Sequence, residues 1–357
     1  MVTPDGRAAI GRRVSAPLRL DLDGAALVAN WRWLAARTPG AACGAAIKAD
    51  GYGLGARAVM TRLAAAGCRD FFVATWDEAE RLGTLPKGVA LSVLHGPREA
   101  DMAVALAHPA RPVLNTAEQV RRWRVGGGGA CDVMVDTGMN RLGLSVAEAT
   151  SGLLDGLGIE TLMSHLACAD EPEHPMNARQ LGAFAGIAGR IGARRRSLAN
   201  SAGVLLGPDY GFDLTRPGLA LYGGIAAPGS AGIAPVVSVS AQILQLREIA
   251  AGESVGYGAT WTAKRPTRVA IANIGYADGF LRALGPSGMG RIADAALPVI
   301  GRVSMDLLAF DATDADGAGE GEWIALDYDL PRLAKASGLS QYELLTGLGD
   351  RFERRWR

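Results

Sequence analysis

Lys48 closes a short apolar run, Ala41 to Ile47, and precedes the glycine-rich stretch Ala49-Asp50-Gly51-Tyr52-Gly53-Leu54-Gly55. A continuous apolar run bounded by glycines reads as a buried strand. An amine at the mouth of such a strand can be held away from water, which lowers its pKa and frees it to condense with an aldehyde. A strand-end lysine can equally point into solvent, so the other polar residues in comparable positions carry the weight. Arg141 lies in Val135-Asp136-Thr137-Gly138-Met139-Asn140-Arg141-Leu142-Gly143. His165 ends Met163-Ser164-His165, Ser201 stands in Asn200-Ser201-Ala202-Gly203, and Arg216 in Thr215-Arg216-Pro217-Gly218. Singly, such a histidine is more often a satisfied core residue, and such an arginine a surface ion pair.

The elements that must position these residues alternate between strand-like and helical patterns. After a lead-in strand, Leu18 to Leu22, Asp23 can cap a helix running to about Arg37. Eight strand candidates follow, at Gly44–Lys48, Phe71–Thr75, Ala90–Leu94, Pro112–Asn115, Asp132–Asp136, Glu160–His165, Arg196–Asn200 and Phe212–Arg216. Helical stretches such as Gly55–Ala66, Arg98–Ala107 and Ala178–Ile191 separate most of them. Strict alternation predicts a parallel sheet, and eight such units predict a closed (β/α)8 TIM-like barrel. An open doubly wound sheet fits less well, because no Gly-x-Gly-x-x-Gly follows the first strand. After about residue 232 the pattern changes. Residues 235–250, Arg268–Ile274, Pro298–Val303, Leu308–Asp311 and Trp323–Leu326 read as strands, with helical periodicity scarce until Tyr342–Gly347. The expected organisation is a loose tail over 1–17, a barrel over 18–232 and a mainly β domain over 233–357.

On a barrel, Lys48, Arg141, His165, Ser201 and Arg216 all fall at carboxyl ends of strands, the rim where barrel enzymes carry their chemistry. Five on one rim is a stronger sign than any one alone. Ser201 offers a hydroxyl, and Gly218 and Leu219 offer backbone N–H groups, in the loops after strands seven and eight. These loops are a recurrent phosphate position. A helix cap is an alternative use of Ser201. An amine at strand one and a phosphate across the mouth together point to pyridoxal phosphate.

With those residues placed, the chain from residue 18 onward resembles the alanine racemase family. The resemblance rests on Ile47 to Gly55, Asp136 to Gly143, Ser164 to Asp170, Arg216 to Gly223, Gly256-Tyr257-Gly258-Ala259-Thr260, Gly275-Tyr276-Ala277-Asp278-Gly279 and Gly301-Arg302-Val303-Ser304-Met305-Asp306. It implies a pyridoxal-phosphate enzyme interconverting L- and D-alanine, working as a head-to-tail homodimer with shared active sites. Lys48 would bind the cofactor covalently. Tyr52, Ser201, Gly218 and Leu219 would hold the phosphate, His165 would lie by the ring, and Arg216 would face the ring nitrogen. Arg141 and Met305 would meet the substrate, with Tyr276 and Asp306 supporting the entrance. Lys48 and Tyr257 would exchange the α-proton on opposite faces, Tyr257 coming from the other subunit. A phenol needs help to act as a base at neutral pH, and His165 and Arg216 are expected as cations that supply it.

Two positions depart from the family's pattern. Many relatives carry a carbon-dioxide-modified lysine where this chain has Met134, and methionine cannot form a carbamate. The expected result is activity independent of dissolved carbon dioxide; a mass increase of one carboxyl group on an active-site lysine would refute it. A tyrosine that many relatives place near the C-terminus aligns loosely with Asp350, which predicts a wider entrance. Ser304 stands for a common cysteine, with little consequence expected.

Composition narrows the remaining classes. The net charge of +1 implies no broad attraction to nucleic acid or anionic membrane. The clusters Arg194-Arg195-Arg196 and Arg351 to Arg357 read as solvated. Cys43, Cys68, Cys131 and Cys168 lack metal-type spacing and read as reduced thiols of a cytoplasmic protein. No signal peptide or membrane span is expected. Other readings are a racemase of serine or of several small amino acids, a decarboxylase on the related fold, and a non-catalytic cofactor binder. Arg216 and Tyr257 speak against the decarboxylase, and the β domain with its Tyr257 against the cofactor binder, since such binders resemble the barrel alone. His165, Cys168, Asp170 and His174 are of zinc-binding types but fall in a proline-broken loop, so no metal is expected.

Overall fold

The computed structural model describes residues 15–357. The expected N-terminal tail lies outside the described residues up to position 14. Two units emerge. One comprises residues 21–238, 328–349 and 354–357. The other comprises residues 239–327 and 350–353 with the start of the described chain up to Leu20.

The first unit is the barrel. Strands Ala45–Ala46, Asp70–Val73, Ala90–Val93, Arg111–Leu114, Cys131–Met134, Ile159–Met163 and Ala193–Ser197 pair in parallel, each with the next in chain order. Leu214–Thr215 closes the ring. It pairs in parallel with Ala42–Cys43, and the flanking Asp213 and Arg216 N–H groups donate to the carbonyls of Arg196 and Ala199 at 3.0 and 2.8 Å. The strands end one to three residues earlier than their apolar patterns suggest, so the functional residues sit in the turns that follow.

Local signals set the helices. Asp23 accepts from the Ala26 N–H at 2.8 Å and starts the helix Gly24–Ala35. Its buried residues Ala26, Leu27, Asn30 and Leu34 recur at helical spacing. Asn30 is fully buried, and its amide donates to the carbonyls of Leu221 and Ala234 while accepting from the Ala234 N–H. Thr75 with Glu78 and Ser145 with Glu148 form capping boxes. Phe71, Val73, Val133, Leu162 and Met163 are completely buried, each contributing about 1.5–3 kcal/mol of hydrophobic stabilisation.

The barrel interior also holds charge. Arg195 grips Asp70 through two hydrogen bonds of 2.9 and 2.5 Å. Asp132, wholly buried, accepts from Ser92 at 2.6 Å and pairs with Arg111 at 3.3 Å. Burial pushes the Asp132 carboxyl up, against the pull of Arg111. The Arg194–Arg196 run is therefore not the solvated start of a strand. It alternates within one, and its central residue points inward to a carboxylate.

The second unit is a closed antiparallel β barrel. Its strands run in the order Thr267–Ala272, Leu308–Asp311, Ala295–Ile300, Met289–Ile292, Trp323–Leu326 and Val237–Ile249. The last strand pairs from Ile243 onward with the first. Two helices, Leu330–Ser337 and Gln341–Thr346, follow this barrel. The first was missed because Pro331 masks a start that Asp329 caps. Both pack with the parallel barrel, although the sequence assigned them to the β domain. The arginine-rich end is not a solvated tail either, since Glu353–Trp356 is a strand. Among the described residues no helix is long and apolar enough to cross a membrane.

Candidate active site

The chain beyond Ile47 turns the wrong way for an L-peptide. Ala49, Asp50, Gly51, Tyr52 and Gly53 all have φ between +50° and +83°, forming a left-handed turn closed by Gly51 N–H to Ile47 and Gly53 N–H to Ala49 carbonyls. The three non-glycine residues cost about 1–2 kcal/mol each, so the surroundings must hold them. They do so at both ends. The Ala49 N–H donates to Glu78 Oε1 at 2.6 Å, and the Gly53 carbonyl accepts from the Arg354 guanidinium at 2.8 and 3.0 Å. Lys48 and Tyr52, four residues apart across this turn, line one cavity of about 470 Å³. Sequence reading placed Lys48 on the strand itself; nothing in its pattern announces left-handed backbone.

Arg141, His165, Arg216 and Met134 line the same cavity. Burial, Arg141 and Arg216 depress the Lys48 amine, partly offset by Glu78. Arg216 is buried, with its guanidinium donating to Ser197 Oγ and the Ser164 carbonyl. Burial lowers its pKa to about 10, so it stays cationic at neutral pH. Arg141 is carried by a loop hung on Asp136, whose carboxylate accepts the N–H groups of Gly138 and Arg141 at 2.7 and 2.9 Å. Burial pushes the Asp136 carboxyl up, but its backbone donors together outweigh this and hold it below the usual range. Met134 is buried and presents no polar atom that could steer Arg141.

The expected imidazolium at His165 is corrected. Burial first, then Arg216, Arg141 and Lys48, lowers its pKa to about 3. His165 is a neutral ring here and supplies no positive charge. An unfolded chain takes up that proton near 6.5, so below this pH the unfolded state binds more protons and stability falls with acid, levelling off near the folded value. Replacing His165 with asparagine should therefore save about 2 kcal/mol of the stability lost between neutral pH and about pH 5. Urea midpoints of the two proteins at both pH values test it.

Ser201, Gly218 and Tyr52 meet at one point. The buried Ser201 Oγ accepts from the Gly218 and Ala220 N–H groups at 2.9 and 3.2 Å, which leaves its proton to donate. A Cβ on Gly218 would stand 2.1 Å from Tyr52 Oη, so only glycine permits this approach. Tyr52 in turn stacks on Tyr222 with ring centroids 4.6 Å apart. The Ser201 hydroxyl, which keeps a proton to give, and Tyr52, which touches Gly218 and lines the cavity of the depressed amine, suit a phosphorylated aldehyde. Tyr342, named before only as part of a helix, lies 6.1 Å from the Tyr52 ring. Ser340 at its helix N-cap was the available signal. His174 caps the helix Pro175–Ala188 through Nδ1, which accounts for it without a metal.

The remaining predicted residues lie in the β unit. Tyr257 sits at the tip of a hairpin of Ser254–Val255 and Trp261–Thr262, with Gly256, Gly258 and Ala259 left-handed around it. Tyr257 is 69% exposed. Met305 is also exposed, and its carbonyl accepts from the Ala277 N–H at 3.0 Å, just beyond Tyr276. Arg351 ties this region together, bidentate to the buried Asp278 at 2.6 and 2.7 Å and bonded to Asp306 at 2.7 Å. Asp350 beside it is exposed.

A closed parallel barrel with a depressed lysine, a neutral imidazole and a buried arginine on its carboxyl rim is an enzyme of the lysine-and-carbonyl type. Residues 22–226 match the model for the N-terminal domain of alanine racemase, and residues 236–356 the model for its C-terminal domain. The chain belongs to the alanine racemase family. It is 45% identical over 351 residues to the alanine racemase of Acidiphilium cryptum, covering 94% of this chain and 97% of that protein. It is 41% identical over 368 residues to the biosynthetic alanine racemase of Agrobacterium fabrum, covering 96% and 94%. The crystal structure of alanine racemase from Bartonella henselae, with covalently bound pyridoxal phosphate, superposes with a TM-score of 0.88 at 35% identity, covering 96% of this chain and all of that one.

Proposed function

We propose that this chain is a pyridoxal-phosphate-dependent alanine racemase that interconverts L- and D-alanine by two-base proton exchange. The observation that carries the reading is Lys48: an amine depressed by burial, in one cavity with Arg141, His165 and Arg216. Pyridoxal phosphate bound at Lys48 supplies the electron sink that acidifies the α-hydrogen of a bound amino acid.

The chain's own groups do the rest. Tyr52, Ser201, Gly218 and Leu219 hold the phosphate. Arg216 would face the ring nitrogen; a guanidinium can only donate, so that nitrogen would stay unprotonated and the sink would be tempered. Arg141 and Met305 bind the substrate, Arg141 pairing with its carboxylate, and Tyr276 and Asp306 shape the entrance. Lys48 moves a proton at Cα on one face and the partner subunit's Tyr257 on the other. Opposed bases allow either enantiomer to enter and leave. With His165 neutral, Arg216 is the remaining cation proposed to ease the phenol's ionisation.

We place the chain in a head-to-tail homodimer, as the family resemblance implies; the exposure of Tyr257, Met305, Leu244 and Leu307 on the β unit supports a covered surface there. The functional division runs near residue 233: the chain before it binds the cofactor, and much of the chain after it completes a neighbour's site. We place the enzyme in the cytoplasm, where it provides D-alanine for peptidoglycan or serves alanine breakdown.

The test is an absorbance spectrum of purified protein before and after borohydride, then circular dichroism of L-alanine with time. A colourless protein that takes up no pyridoxal phosphate would end this reading. Running L-serine alongside measures the breadth of the site. A companion test addresses the cradle. Gly218→Ala should weaken cofactor retention on dialysis by about tenfold or more, from the steric cost of overpacking.

A further inference from the structure

Glu78 uses its two carboxylate oxygens for two different tasks. Oε2 accepts from the Ala74 N–H at 2.6 Å and the Thr75 N–H at 3.4 Å, the local duty of a capping box at the helix Trp76–Leu82. A capping box needs no more than that. Oε1 instead reaches 29 residues back to the Ala49 N–H at 2.6 Å. Ala49 follows Lys48 directly and is the first residue of the left-handed turn. The same carboxylate sets a negative charge against the Lys48 amine, opposing Arg141 and Arg216.

We propose that Glu78 is a positioning residue for the cofactor lysine, its carboxylate clamping the strained turn after Lys48 to the start of the helix Trp76–Leu82 and thereby fixing where the amine points. The proposal rests on the reading of Lys48 given above. A helix-capping role alone predicts something different: removing Glu78 would then behave like removing Thr75, which caps the same helix but does not touch the turn.

Three variants of the full chain separate these cases. Glu78→Ala deletes the clamp and the charge, Glu78→Gln keeps one acceptor for Ala49 but drops the charge, and Thr75→Ala removes the cap alone. Amide hydrogen exchange across residues 47–54 is read in the holoenzyme. The pH midpoint of Lys48 acylation by acetic anhydride is read in protein freed of cofactor, peptide by peptide, with Lys87, Lys264 and Lys335 as internal references. Glu78→Ala should speed exchange in the turn at least tenfold. It should also raise the Lys48 midpoint, because burial is the larger cause of its depression and the loosened turn admits water. Glu78→Gln should lower the midpoint, because an opposing charge is gone while the turn holds. Thr75→Ala should leave both readouts at wild-type values. Racemisation by Glu78→Ala should fall about tenfold in kcat with little change in KM.

Turn exchange and Lys48 midpoints that are the same in Glu78→Ala and Thr75→Ala would overturn the proposal and leave Glu78 a helix cap. Neither readout requires turnover. A wild-type protein that never binds pyridoxal phosphate would remove the cofactor reading, while exchange in the turn, read then in the cofactor-free protein, would still decide whether Glu78 clamps it.

Discussion

Replacing Lys48 with alanine is expected to abolish racemisation, a loss of about 10⁴-fold or more, in a protein that still folds. On the reading proposed above, the residue is both the covalent anchor and one of the two proton carriers, so a single change removes functions that are not additive. The fold should survive because Lys48 precedes the left-handed turn, so alanine meets no strain there. Lys48→Arg discriminates further. It restores positive charge in the cavity, but a guanidinium stays protonated and neither condenses with an aldehyde nor accepts a proton. If charge were the contribution of Lys48, arginine would rescue; on the present reading it should be as inactive as alanine. Circular dichroism of L-alanine over hours measures both. Arginine activity within a few-fold of wild type would sink the assignment.

The second large effect concerns Tyr257. Tyr257→Phe should cost about 10²–10⁴-fold, the range for loss of a positioned acid or base. A more specific outcome comes from mixing. Lys48→Ala and Tyr257→Phe chains are each inactive, but a hybrid dimer with sites shared across its two-fold axis holds one site with both groups intact. Unfolding and refolding an equal mixture makes half of the dimers hybrid, and activity should return to about a quarter of wild type. If each chain completed its own site, the mixture would stay as inactive as its components. The exposed position of Tyr257 on a hairpin tip is what makes this experiment decisive.

The barrel was legible because eight apolar runs separated by helical stretches have few other solutions, and the rim residues followed from strand ends. Leu308–Asp311 and Trp323–Leu326 were read with their bounds intact, since short apolar runs carrying an aromatic residue and set among polar turn residues leave little choice. What stayed hidden depended on tertiary partners. The left-handed backbone at Ala49 and Asp50 opposes residue preference and persists through Glu78 and Arg354, distant in sequence. Arg195 looked like part of a solvated basic run because its partner, Asp70, lies 125 residues away. The charge of His165 was misjudged for the same reason: its burial, first, and the cations beside it, second, come from elements distant in sequence. Proline at the start of Leu330–Ser337 hid a helix that an aspartate cap supports.

The turn after Lys48 has a consequence for chirality. At Ala49 the backbone occupies the region where a D-amino acid is relaxed and an L-amino acid is strained. A semisynthetic chain with the mirror-image residue at that one position would relieve part of the tension its clamps now contain. Selection among natural L-residues cannot reach that form, and glycine, the achiral compromise, would relax the site at the expense of stiffness. The lysine proposed to erase handedness in its substrate is thus held by a stretch of chain with locally inverted handedness.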